Sequence, residues 1–63
     1  MKYEYYNTFR GFVLRRKKAG CRFWEYMRGY RNGVYSWISD YTYARTMSEK
    51  TAKKHFDALT NNN

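Results

Sequence analysis

The stretch Tyr26-Met27-Arg28-Gly29-Tyr30-Arg31-Asn32-Gly33-Val34-Tyr35-Ser36-Trp37 decides the reading of the fold. Asn32-Gly33 sits between two runs rich in aromatic residues. The tightest hairpin turn needs positive φ at both central positions. Asn tolerates that conformation and Gly adopts it freely, so the pair marks a β-hairpin. Residues 21–28 read as the strand before the turn, with Phe23 and Met27 opposite Trp24 and Tyr26. Residues 34–39 read as the strand after it. Upstream, residues 3–16 hold the strand formers Tyr3, Tyr5, Tyr6, Thr8, Phe9, Phe12 and Val13. Alternation is clear from Arg10 on: Arg10, Phe12, Leu14 and Arg16 fall on one face, Gly11, Val13 and Arg15 on the other. The pattern predicts one strand over 3–16, closed by a turn at Lys17-Lys18-Ala19-Gly20.

The period changes in the last third. Ser48 can cap a helix, and Thr46 with Glu49 matches the capping-box spacing. Ala52, His55, Phe56 and Leu59 then recur at helical spacing on one face, with Lys50, Lys53, Lys54 and Asp57 elsewhere. The helix is expected to end near Thr60. Residues 40–45 read as a connecting loop or short turn, and 61–63 as a disordered tail. The expectation is an α+β fold: a three-stranded antiparallel β-meander followed by one C-terminal α-helix packed on the sheet, as a single domain over 1–60.

Composition bounds what such a chain can be. With 63 residues, it has room for one small domain and not for a deep pocket walled by two layers. Leu, Ile, Val and Phe number only nine, which with a net charge of +8 points towards disorder. Eight Tyr and two Trp reverse that inference, because each ring can bury about 150–250 Å². The core is still expected to be thin, and domains of this size often need a disulfide, a metal or a second copy. One cysteine, Cys21, forms no internal disulfide. One histidine and one cysteine do not make a four-ligand zinc site, so no metal or cofactor is expected. Self-association remains, and a homodimer is the expected state. The lone thiol fits a reducing cytoplasm. The N-terminus lacks the apolar core of a secretory signal, and no apolar run approaches the roughly 20 residues of a membrane span.

The charge is uneven. Residues 10–31 hold eight cations (Arg10, Arg15, Arg16, Lys17, Lys18, Arg22, Arg28 and Arg31) against Glu25, a local charge of +7. Lys17 and Lys18 are placed at a hairpin tip flanked by Arg15, Arg16 and Arg22, as a cationic finger. Lys53 and Lys54 add charge from the helix. Arginine matches phosphate with a planar fork and stacks on bases, and aromatic residues are interleaved with it: Phe23 and Trp24 follow Arg22, and Tyr26 and Tyr30 flank Arg28. Phosphate contacts plus stacking rings are what single-stranded or irregular RNA selects. A hairpin ribbon could also enter a DNA groove, so RNA ranks above DNA without excluding it.

Other motifs carry little. Arg10-Gly11-Phe12-Val13 matches part of an RNA-recognition-motif core, but that fold needs more strands and helices than this length offers. His55 falls on the apolar helix face, as a packed histidine. Cys21 beside Arg22 reads as a plain strand cysteine. Asp40 and Glu49 are isolated, so no paired acid and base is available and an enzyme is not expected.

The run Tyr35-Ser36-Trp37-Ile38-Ser39-Asp40, then Ala44, Met47-Ser48 and Ala52, is similar to a small phage-protein pattern. In it a Trp-bearing strand leads through Asp and Ala to a Ser-capped helix. With its size, basicity and Arg-rich hairpin, the chain resembles the T-even phage TifA-like proteins, small basic antagonists of the ToxIN toxin–antitoxin system. The resemblance covers about residues 34–60 and transfers no site residue. It implies a dimeric, RNA-binding counter-defence protein in the host bacterial cytoplasm that sequesters the antitoxin RNA complex. A second class stays open: an inhibitor whose basic face docks on an acidic host protein, with Trp24, Tyr30 and Arg31 as hot spots.

Overall fold

Asn32 and Gly33 both take positive φ, 51° and 82°. They join β3 (Glu25–Arg31) to β4 (Val34–Ile38), with Arg31 opposite Val34 across the turn. This is the hairpin that Asn-Gly predicts. The structure is a computed structural model that describes residues 1–61; the expected tail lies outside the described residues except for Asn61.

Residues 3–16 do not form one strand. They fold back as β1 (Lys2–Thr8) and β2 (Gly11–Lys17), paired from Lys2 opposite Lys17 to Thr8 opposite Gly11. Phe9 and Arg10 make the turn. The Thr8 hydroxyl donates to the Gly11 carbonyl at 2.7 Å and accepts from the Arg10 N–H at 3.2 Å. Gly11 takes a φ of 132°, and a Cβ there would crowd the Met47 carbonyl oxygen at 3.3 Å. The sheet therefore has four antiparallel strands in the order β1-β2-β3-β4, not three. The next strand starts at Glu25, not at Cys21, and the last ends at Ile38. Cys21 lies exposed in the connection, not in a strand. That connection is longer than a hairpin tip. It begins with a turn in which the Cys21 N–H donates to the Lys18 carbonyl at 3.0 Å, with Gly20 at a φ of 82°.

The two hairpins meet along a short seam. β2 and β3 pair only at Arg15–Tyr26 and Arg16–Glu25. Residues 45–47 supply the remaining backbone partners. The Arg45 N–H donates to the Met27 carbonyl at 2.9 Å, and Met47 and Phe12 exchange N–H···O bonds of 2.8 and 2.9 Å. Just before this segment, residues 41–43 form a single 3-10 turn capped by Asp40. In β3 a bulge at Arg28 shifts the register between Met27 and Gly29. The odd–even phase changes there, so Met27 and Tyr30 lie on one face.

The sheet curls strongly. β1 and β4 are three strand spacings apart, about 14 Å, yet the rings of Tyr3 and Trp37 have centroids 6.2 Å apart. The concave face that results carries Tyr3, Tyr5, Phe12, Leu14, Met27, Tyr35 and Trp37. The helix α1 (Glu49–Thr60) packs over β1 and β2. Ser48 is its cap, accepting from the Thr51 N–H at 3.3 Å. Ala52 is buried and His55, Phe56 and Leu59 are half-buried, as their spacing predicts. Phe56 sets its ring against Tyr5 at 5.1 Å. His55 lies 4.8 Å from the Tyr30 ring, and its Nδ1 is 3.0 Å from the Tyr35 hydroxyl. Burial, then the charges of Lys54 and Arg45, lowers its pKa below the usual histidine value. Among the described residues the fully buried side chains are few: Val13, Leu14, Met27 and Ala52. Val13 and Leu14 are adjacent and face opposite ways, so each side of the sheet is sealed at its centre.

Candidate nucleic-acid interface

The convex face lies away from α1; the 3-10 turn at 41–43 packs at its edge through Tyr41. Strand register puts Lys2 opposite Lys17, Glu4 opposite Arg15 and Tyr6 opposite Val13 on this side, with Tyr26 opposite Arg15 in β3. Arg15 is the centre of the face. Its guanidinium lies 4.0 Å from the Trp24 ring centroid and 4.8 Å from that of Tyr6. Glu4 holds it in plane, accepting from Nε at 3.0 Å and from Nη2 at 2.6 Å. Burial disfavours the Arg15 charge, but the Glu4 carboxylate and the Tyr26 and Tyr6 phenols more than offset it and keep the guanidinium above its ordinary pKa. Burial and the neighbouring Tyr26 raise the Tyr6 phenol in turn, which keeps it un-ionised. Lys17 brings a second cation over Trp24, with Nζ 5.0 Å from the centroid.

Two grooves open beside this stack and share Phe23, Trp24 and Ser39. The larger, about 620 Å³, is lined by Arg22, Phe23, Trp24, Tyr26, Ser39 and Tyr41. The smaller, about 220 Å³, adds Lys18, Cys21 and Glu25. Tyr41 meets Tyr26 edge-on at 5.5 Å, which fixes one wall. Phe23 is 79% exposed and forms no ring pair among the described residues.

The fold divides the cations that the sequence groups together. Arg15, Lys17, Lys18 and Arg22 converge on Trp24 and its grooves. Arg16 lies on the opposite face, 4.3 Å from the Trp37 ring and bonded to Glu25 at 2.8 Å. Arg10 stands at the β1–β2 turn, 5.5 Å from the exposed Phe9 ring, and Arg31 at the β3–β4 turn, both at the other end of the strands. Arg28 occupies the bulge. Lys53 and Lys54 are exposed on α1. The expected finger is thus a basic margin around a tryptophan, not a tip. Sequence reasoning misses Glu4, Tyr6, Ser39 and Tyr41. Only the adjacency of Arg22, Phe23 and Trp24 hints at the cluster.

No family model, no curated protein and no solved structure matches the chain.

Proposed function

We propose that the protein is a non-catalytic RNA-binding protein that acts by stoichiometric occupation. The single observation that carries this is the arrangement around Trp24: a guanidinium and an ammonium over one ring, with Lys18 and Arg22 beside it, on the sheet face away from α1. Among the described residues, Lys17, Lys18 and Arg22 form no ion pair, so their charges are available to phosphate. Rings and cations in alternation suit a flexible polyanion whose bases can unstack. The strands β1 and β4 are the open edges of the sheet. Pairing of two copies along one of them would set two such faces on one RNA and raise affinity through effective concentration. With the resemblance to the TifA-like antagonists, the proposal extends to sequestration of the RNA of a toxin–antitoxin complex.

The test is a titration of labelled RNA at several salt concentrations. The parent protein is expected to bind with a log–log salt slope of several units. Lys17→Ala with Lys18→Ala removes two phosphate contacts and lowers that slope by about 1.4 units. An unchanged slope and affinity in the double variant would remove this face from the interface.

A further inference from the structure

We propose that the larger groove, between Phe23 and Tyr41, is the seat of one unpaired base of a single-stranded RNA segment. This rests on the RNA-binding proposal above and narrows it to a ligand class and a place. Four rings line the groove: Phe23, Trp24, Tyr26 and Tyr41. Tyr26 and Tyr41 brace each other edge-on, and Trp24 is braced by Arg15. Among the described residues Phe23 has no such partner, and it is 79% exposed. An unpartnered phenyl at the rim of an aromatic groove is a free stacking surface, and every base offers a π-face to it.

Charge complementarity selects the occupant. Arg22 lines the groove itself, and Lys18 lines the adjoining one across Phe23 and Trp24. A base seated among the rings therefore has cations within reach of its flanking phosphates. Two of the carboxylates nearby are ion-paired, Glu25 with Arg16 and Glu4 with Arg15; Asp40 accepts from the Thr42 N–H and hydroxyl and keeps its charge, so Arg22 and Lys18 must outweigh it. A duplex keeps its bases stacked inside and offers this concavity only its sugar–phosphate exterior. The groove thus favours an unpaired strand.

The experiment uses the full chain in a Trp37→Phe background, which leaves Trp24 as the only indole. The probes are an oligo-uridylate of about 12 nucleotides, a length within the usual range of single-strand sites, its DNA counterpart, and an RNA duplex of equal length. The expected results are quenching of Trp24 fluorescence by the single-stranded RNA and weaker binding of the duplex. Phe23→Ala should weaken the oligo-uridylate on the order of tenfold with an unchanged salt slope and thermal midpoint. Arg22→Ala should instead lower the slope by about 0.7 units. Because Phe23 is exposed, its loss leaves the fold intact, and the unchanged midpoint verifies this. Unchanged affinity in Phe23→Ala, or a duplex bound as tightly as the single strand, overturns the groove assignment while the broader RNA proposal stands. Equal binding of the DNA counterpart overturns the restriction to RNA. No binding of any probe at low salt overturns both and turns attention to an acidic protein as the partner.

Discussion

Arg15 and Arg16 are neighbours in the chain and do different work on opposite faces. Each is bonded to one carboxylate, Glu4 or Glu25, and each lies over one tryptophan, Trp24 or Trp37. Their local chemistry is nearly the same. Their surroundings are not. Trp37 is ringed by Tyr3 and Tyr35 on the concave side, so the Arg16 pair closes the end of the aromatic layer that holds the helix. Trp24 opens instead onto grooves bordered by Lys18 and Arg22. What sets the proposed binding surface apart is not the stacked, ion-paired arginine but the further rings and, among the described residues, the unpaired cations beside it.

The sharpest break between the faces comes from the core. Leu14→Ala removes a fully buried side chain under the helix and should cost about 2–5 kcal/mol. In a domain this small that unfolds much of the population at ambient temperature, visible by circular dichroism in a urea titration. Next comes the arginine pair itself. Arg16→Ala and Arg15→Ala should each cost about 1 kcal/mol, from a lost ring contact and a partly exposed ion pair. Only Arg15→Ala should also weaken RNA binding severalfold, by anisotropy. Equal losses of affinity in both variants would erase the distinction between the two faces.

The smallest effect is a pH dependence confined to the concave side. His55 titrates near 6.5 when unfolded and lower when folded. Between those values the unfolded chain binds more protons, so stability rises with pH. Its contribution is complete above about 6.5 and is lost as pH falls through the folded value. The thermal midpoint should therefore drop between neutral and mildly acidic pH in the parent, and drop less in His55→Gln. A parallel decline in both would mean that His55 is not the group responsible.

The Asn32-Gly33 turn and the Ser48-capped helix were legible because each rests on local chemistry: positive φ in one, a hydroxyl meeting an orphan N–H in the other. The first hairpin was not, because Phe9 and Arg10 are poor turn residues and the turn is made by their neighbours, the Thr8 hydroxyl and the backbone of Gly11. A trace of it is present in the phase of the pattern. Tyr3 and Tyr5 are odd and Phe12 and Leu14 even, yet all share one face, which a single continuous strand forbids. Missing that turn hid Glu4 from Arg15, since the two meet only when β1 folds back on β2. The ingredients of the candidate site, cations interleaved with rings, were legible. Its location was not, because linear charge density joins Arg10 and Arg31 to Lys18 and Arg22, while the strands carry them to opposite ends.

The seam at residues 45–47 makes the order of synthesis matter. Each hairpin is complete within its own stretch of chain, but the backbone partners that fill the gap between them come from Arg45 and Met47. At roughly 5–20 residues per second, a ribosome adds that join roughly 0.4 to 2 seconds after the second hairpin. Without that join the ladder links the two ribbons only at Arg15–Tyr26 and Arg16–Glu25, and the Phe12 backbone edge is left unclaimed. The C-terminal third is thus the clasp that turns two ribbons into one sheet, and a chain cut short before it would leave that edge free to pair with another strand.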